Sequence, residues 1–208
     1  FCEKLYQTPT YRAYMGMKSM VERLAKYMET TEIEHGRDGN ITALINAAAK
    51  FEKTKITVIN SKQNSGAEGL LVLKAAQMID AKEKYEDIVE KINKLTNQSK
   101  ILVSVKTLKY MVRAGRVSKA TGIAGKIMNL KPVISIDDEG NGIIFDKALS
   151  LKSSNKKIQK HIVDVHENYG IESYAIVHAN AEDRASEYAK RYEELLGMKP
   201  LYIMNIST

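Results

Sequence analysis

Along the first hundred positions, apolar residues recur first at helical and then at extended spacing. Met17, Met20, Val21, Leu24 and Met28 repeat every three to four residues, the period of one helix face, and predict a helix. Glu32 to Asn40, EIEHGRDGN, is polar and rich in turn formers and is expected to be a loop. Leu44, Ile45, Ala48 and Phe51 predict a helix over 41–51 with these four on its inner side. Lys55 to Asn60, KITVIN, is short and β-branched, the signature of a buried strand. It runs into NSKQNSGAEG, a loop over 60–69 that opens a helix carrying Leu70, Leu71, Leu73, Ala76 and Ile79. Tyr85, Ile88, Ile92 and Leu95 mark a further amphipathic helix with its charges outward.

A strand over 101–105 then leads into LKYMVRAGRVSKATGIAGKIMNLKP, residues 108–132. A short helix is expected to stop at Gly115, because glycine takes the left-handed cap conformation at little cost. That cap sets the direction in which Arg116 leaves the helix end. Ser118 is a candidate N-cap for a second short helix, whose Gly122 and Gly125 permit close approach of backbone or ligand. Beyond it lie a strand over 132–137, a turn at Asp138-Glu139-Gly140-Asn141-Gly142, and a hairpin partner over 143–145. LKSSNKKIQK starts a helix with Ile158, Ile162, Val165 and Tyr169 inward and a stop at Gly170. A strand over 174–178, a helix lined by Ala185, Tyr188, Ala189, Tyr192 and Leu195 and stopped at Gly197, and a strand over 201–206 complete the pattern.

The two halves differ. Alternating helix and strand in the first predicts a parallel sheet flanked by helices, whereas the hairpin and β-α-β ending of the second predict a mixed sheet. The chain thus reads as an α/β protein of two domains, 1–98 and 99–208, with the boundary near Ser99.

Composition changes this picture little. With 208 residues, 44% hydrophobic and 27% charged, the chain has the balance of an ordinary globular protein with a real core. A formal charge of +7 favours anionic partners without selecting among nucleic acid, lipid, phosphate and acidic protein. The single cysteine, Cys2, excludes an intrachain disulfide framework and fits a reducing cytoplasm. No apolar run is long enough to span a bilayer and no signal peptide is evident. The first residue is Phe rather than Met, from which the chain is expected to be a fragment.

Two places have the residue types for ligand chemistry. An arginine held beside a helix cap, as at Arg116, suits a carboxylate or phosphate, because its planar donors match two anionic oxygens at once; the plain alternative is a solvated arginine. The 60–69 loop lies between a strand's C-terminal end and a helix N-terminus, where N–H groups and the helix dipole favour an anion. Ser65 there either caps the helix or offers its hydroxyl to a ligand. The loop lacks the GxxxxGK[ST] spacing of a nucleotide P-loop.

Other chemistry is poorly supplied. His35, His161, His166 and His178 form no metal set, and neither a GxSxG elbow nor the terminal Cys2 supports a hydrolase. Lys147, Lys152, Lys156, Lys157 and Lys160 run without an acid among them beyond Asp146 just before. They are read either as a solvated helix start or as a docking patch for an acidic partner or membrane surface. Nucleic acid is not expected, since no aromatic residues interleave with the lysines.

Three separated segments agree on one resemblance. TLKYMVRAGRVSK followed by GIAGKIMNLKPVISIDDEG, INSKQNSGAEGLLVLKAAQMI, and YAIVHANAEDRASEYAKRYEELL together closely resemble the DegV family of lipid-binding proteins, over about Lys55 to Thr208. The resemblance implies a two-domain α/β fold with a long-chain fatty acid buried between the domains. It further implies a non-catalytic bacterial subunit, without a cofactor, that presents the acid to a separate ATP-using kinase subunit for phosphorylation to an acyl phosphate. Arg116 matches the family arginine near the acyl head group and the kinase docking face. Ser65, with Gly66 beside it, is the second candidate for the ligand cleft. The family's hydroxyl-bearing head-group segments correspond to Thr8-Pro9-Thr10 and to the stretch 37–42, where Gly39 and Thr42 fit and Asp38 would repel a carboxylate. The family's first strand is absent, and its C-terminal glycine-rich segment would begin just after Thr208. Both domains are therefore expected to be incomplete, the first at its start and the second at its end.

Two other readings follow from these departures. One is an interaction or regulatory module that kept the DegV fold and lost lipid. The other, from the related dihydroxyacetone-kinase fold, is a phosphotransfer subunit with His178 as the loose candidate for covalent substrate attachment.

Overall fold

The computed structural model describes residues 37–51, 55–109, 111 and 130–206. The readings at 8–10, 17–28 and 32–36, and the whole Gly115 to Gly125 element with Arg116, lie outside these residues. The described residues fall into two units. One takes those up to Ser61 together with Leu71–Thr96; the other takes Lys62–Leu70 and those from Asn97 onward.

The first unit is helical among its described residues. Helix α1 (Arg37–Ala48) begins four residues earlier than the apolar pattern predicts, so Arg37 to Asn40 are helical and not loop. A first turn has no intrahelical acceptors for its own N–H groups, so it tolerates Asp, Gly and Asn that would weaken a helix interior. Ala47 of α1 is buried, while Ile45 and Phe51, both expected on its inner side, are exposed. Helix α2 (Ser65–Asp80) buries Leu71, Ala76 and Met78, and α3 (Tyr85–Gln98) buries Ile92. Residues 55–60, expected as a buried strand, are extended but join no ladder among the described residues and alternate between exposed and half-buried. Side chains hold them instead. The Tyr85 hydroxyl donates to Thr57 Oγ1 at 2.6 Å, and Lys55 pairs with Glu86 while its ammonium lies 4.5 Å from the Tyr85 ring centroid.

The second unit carries the described strands. β1 (Val103–Ser104), β2 (Val133–Ile136) and β3 (Gly142–Asp146) form an antiparallel sheet in the order β1-β2-β3. Leu108 and Ile134 are its buried centre, with Val103, Val105, Met111, Leu130 and Ile144 packed around them. The β2–β3 turn is held by Asp137, whose Oδ1 accepts from the N–H groups of Asn141 at 2.6 Å and Glu139 at 3.1 Å. Helix α4 (Leu151–Tyr169) starts at the N-cap Ser150, whose hydroxyl accepts from the Ser153 N–H at 3.1 Å.

A β-α-β unit follows: β4 (Ile176–His178), α5 (Glu182–Leu196) and β5 (Ile203–Asn205), with β4 and β5 parallel. Ala185, Ala189, Tyr192 and Leu196 recur at helical spacing and are the buried face of α5. Gly197, at φ 66°, ends α5 in the left-handed conformation that favours glycine. The second half thus has both kinds of pairing expected of it, in separate sheets: three antiparallel strands and two parallel ones. The architecture is α/β.

Candidate functional site

The entry into α2 is where sequence and backbone both depart from the ordinary. Lys62 and Ser65 stand at φ 51° and 52°. A residue with a side chain rarely takes this left-handed region, and such strain concentrates at functional turns. Two such residues within four turn the chain sharply out of the extended segment and into the helix. Ser65 is exposed at this turn, and Gly66 behind it is buried. The N–H groups at 65–67 precede the ladder of α2, whose first bond runs from the Glu68 N–H to the Asn64 carbonyl at 3.4 Å. Glu68, in the first turn, has its carboxyl pushed above the usual carboxylate range by partial desolvation.

This turn is pressed onto the parallel sheet of its own unit. A Cβ on Gly66 would lie 2.7 Å from Val177 Cγ2 on β4, and one on Gly69 would lie 2.4 Å from Tyr202 Oη. Both are closer than any real carbon contact, so the i, i+3 glycine pair is what lets the helix start approach. The Tyr202 hydroxyl donates to the Gly66 carbonyl at 2.7 Å, and burial pushes the phenol above its ordinary range, keeping it a donor. Gln63 Nε2 donates to the Ser99 carbonyl at 3.2 Å and holds the other end of the turn. The result is a helix N-terminus with a strained serine, anchored on three sides.

The C-terminal ends of β4 and β5, where ligands bind in α/β sheets, are tied together. The Asn180 N–H donates to Asn205 Oδ1 at 3.1 Å. His178 Nδ1 accepts from the Ala181 N–H at 3.2 Å, which leaves the ring proton of the neutral form on Nε2. His178 is thus used structurally in the β4–α5 turn. His161 packs edge-on against Phe145 with ring centroids 4.8 Å apart.

The four head-group candidates are placed unequally. Ser65 and Gly66 are adjacent in the anchored turn. Thr42 is exposed on α1, in the other unit. Arg116 lies outside the described residues. Tyr202 and Val177, which fix the turn, were not singled out from the sequence. The signal that could have found them is the Gly66/Gly69 pair on one face of α2, which requires some bulky group opposite.

The fold has close counterparts. The family model described as "Uncharacterised protein, DegV family" matches residues 17–208. A DegV domain-containing protein of Clostridium acetobutylicum is 30% identical over 163 residues, covering 78% of this chain and 58% of that protein. Another from Staphylococcus aureus is 27% identical over 161 residues, covering 77% of this chain and 57% of its own. Among solved structures, DegV of Bacillus subtilis, described as a fatty acid binding protein, aligns with a TM-score of 0.70 at 21% identity, over 80% of this chain and 59% of that one. The fatty acid kinase B3 protein of Streptococcus pneumoniae, solved loaded with linoleic acid, aligns at 0.65 and 24% identity, over 83% and 61%. The protein defined by this fold and turn belongs to the DegV family. The chain spans a little under three fifths of the length of the curated relatives it matches. Among the described residues, no helix is long and apolar enough to cross a membrane.

Proposed function

We propose that this chain binds a long-chain fatty acid and presents its carboxylate to a separate kinase subunit, in a cytoplasmic setting. Family membership supports the lipid, and the anchored turn at Ser65 supports a head-group position. Solved neighbours of the same fold are described as fatty-acid-binding, and one belongs to a fatty acid kinase. Burial of the acyl chain supplies most of the affinity, about 0.8 kcal/mol per CH₂ removed from water. The head-group contacts then select an acid over an ester or alcohol. The hydroxyl of Ser65 and the N–H groups around Gly66 donate to the carboxylate, the dipole of α2 favours its negative charge, and Arg116 adds its guanidinium. Arg116 also contributes to recognition by the kinase.

No catalytic residue or cofactor of this chain enters the reaction. The kinase brings ATP, a carboxylate oxygen attacks the γ-phosphorus, and ADP leaves with the electron pair of the broken bond. The role of this chain is to hold the carboxylate in the attacking geometry and keep the acyl chain out of water. Arg116→Ala tests the assignment: acyl phosphate formation with a cognate kinase falls while fatty-acid retention stays near wild type. Equal phosphorylation by both proteins would remove Arg116 from the site.

A further inference from the structure

The turn that joins β2 to β3 has no part in this reading. Where it enters β3 stand Asn141 and Gly142, the chain's only asparagine followed by glycine. The Asp137 N–H donates to the Asn141 carbonyl at 2.9 Å, so these two are a hydrogen-bonded pair. Bonded and non-bonded pairs alternate along an antiparallel ladder. The next pair, Ile136 with Gly142, is therefore non-bonded, and the Gly142 N–H points away from β2. Among the described strands β3 is the edge, so that N–H faces no further strand of the sheet. Asn141 is exposed, and its Nδ2 reaches Asp137 Oδ2 at 3.3 Å, a long hydrogen bond.

We propose that Asn141 is a site of spontaneous deamidation, at which the outward backbone nitrogen of Gly142 attacks the Asn141 side-chain amide. Glycine has no side chain to shield that nitrogen. The Gly142 nitrogen gives up its proton to solvent base and bonds to Asn141 Cγ. The Cγ–Nδ2 bond breaks, and the departing nitrogen takes the electron pair and a proton from water to leave as ammonia. Water then opens the succinimide: cleavage at Cγ gives aspartate, and cleavage at the main-chain carbonyl gives isoaspartate. No cofactor or partner is needed. Either product sets a carboxylate opposite Asp137, where like charges destabilise a cross-strand pair. Asp138 and Glu139 are already in the turn, and the Lys100 ammonium, 3.6 Å from Asp138, offsets one of them. Isoaspartate also adds a carbon to the main chain between 141 and 142. The Asp137–Asn141 bond and the Ile136–Gly142 register then cannot both be kept. The hairpin thus carries a slow, one-way change that loosens it. The inference stands on the hairpin alone and does not need a bound fatty acid.

The test is peptide mapping of the full chain, aged while folded in mildly alkaline buffer, by tandem mass spectrometry with electron-transfer fragmentation. Asn141 should lose its amide first, ahead of Asn60 and Asn64, which are also exposed but precede serine. Both aspartate and isoaspartate should form, whereas direct hydrolysis would give aspartate alone. Gly142→Ala, compatible with the extended backbone of β3, should lose most of the conversion. Asn141→Asp should melt below wild type through charge, and the aged wild type lower still as isoaspartate accumulates. An Asn141 that stays intact or converts after Asn60 or Asn64 would overturn the proposal. So would aspartate without isoaspartate, equal conversion in Gly142→Ala, or conversion in the urea-unfolded chain but not in the folded one. Unchanged melting of the converted chain would overturn the loosening of the hairpin.

Discussion

The hydroxyl of Tyr202 donates a 2.7 Å hydrogen bond to the carbonyl oxygen of Gly66, across 136 positions of sequence. It joins the lead-in of β5 to the first turn of α2. The same oxygen occupies the space that a side chain at Gly69 would need. One phenol thus both anchors the candidate head-group turn and dictates a glycine one helical turn on.

That double role gives a thermodynamic cycle. Tyr202→Phe removes the bond and should cost about 1 kcal/mol in denaturant unfolding. Gly69→Ala in the wild-type background should cost about 1–3 kcal/mol through overpacking. With the hydroxyl gone, the nearest ring carbon is 3.4 Å from the new methyl, an ordinary contact. The Gly69→Ala penalty should therefore largely vanish in the Tyr202→Phe background. Additive penalties would contradict the close approach.

Tyr192 provides an alkaline reporter. It is buried on α5, stacked on Tyr188 with centroids 6.0 Å apart and edge-on to Tyr174 at 6.3 Å. Burial, with a smaller contribution from Tyr188, pushes its phenol up to about 12. The native state therefore holds this proton more tightly than the unfolded chain, whose tyrosines ionise near 10. Stability should be insensitive to this group below pH 10 and should fall as pH rises from 10 toward 12. Chemical denaturation across that range should show the fall, and Tyr192→Phe should make it shallower, with the raised phenols of Tyr174 and Tyr202 contributing what remains.

The Asp146–Lys157 pair works in the opposite direction. The Lys157 ammonium at 2.7 Å holds the Asp146 carboxyl below its usual range. A depressed carboxyl contributes above its unfolded pKa, and the contribution is lost as pH falls through the folded value. Both groups are over a third exposed, so the loss in Asp146→Asn should be at most about 1 kcal/mol at neutral pH, smaller at high salt. Below the folded pKa the variant and wild type should melt together.

Ser150 caps α4 through the Ser153 N–H. Ser150→Ala should cost about 1 kcal/mol in unfolding free energy, and Ser150→Gly only a few tenths. A Ser150→Ala variant as stable as wild type would mean that the cap hydrogen bond is not what starts the helix.

Local signals carried the sequence reading where they decide structure locally. Gly197 ends α5 and the Asp138 to Gly142 turn joins β2 to β3, because a left-handed cap and a tight hairpin need those residues at those positions. Helical spacing likewise found Ala185, Ala189 and Tyr192. It failed at residues 55–60, where a β-branched run looks like a strand but pairing depends on a neighbour that periodicity does not reveal. It failed again at Ile45 and Phe51, since α1 has no sharply apolar face from which to read an inside. At the candidate site, Ser65 and Gly66 were legible from the loop-to-helix junction. Tyr202 was not, because its contact with Gly66 is long-range and leaves only the glycine pair as a trace.

Mass spectrometry of the purified chain, native and then denatured, decides whether it holds a fatty acid. A long-chain acid should be held under native conditions and released on denaturation, or taken up after incubation with palmitate or oleate. A chain that is empty as purified and still empty after that incubation would contradict it.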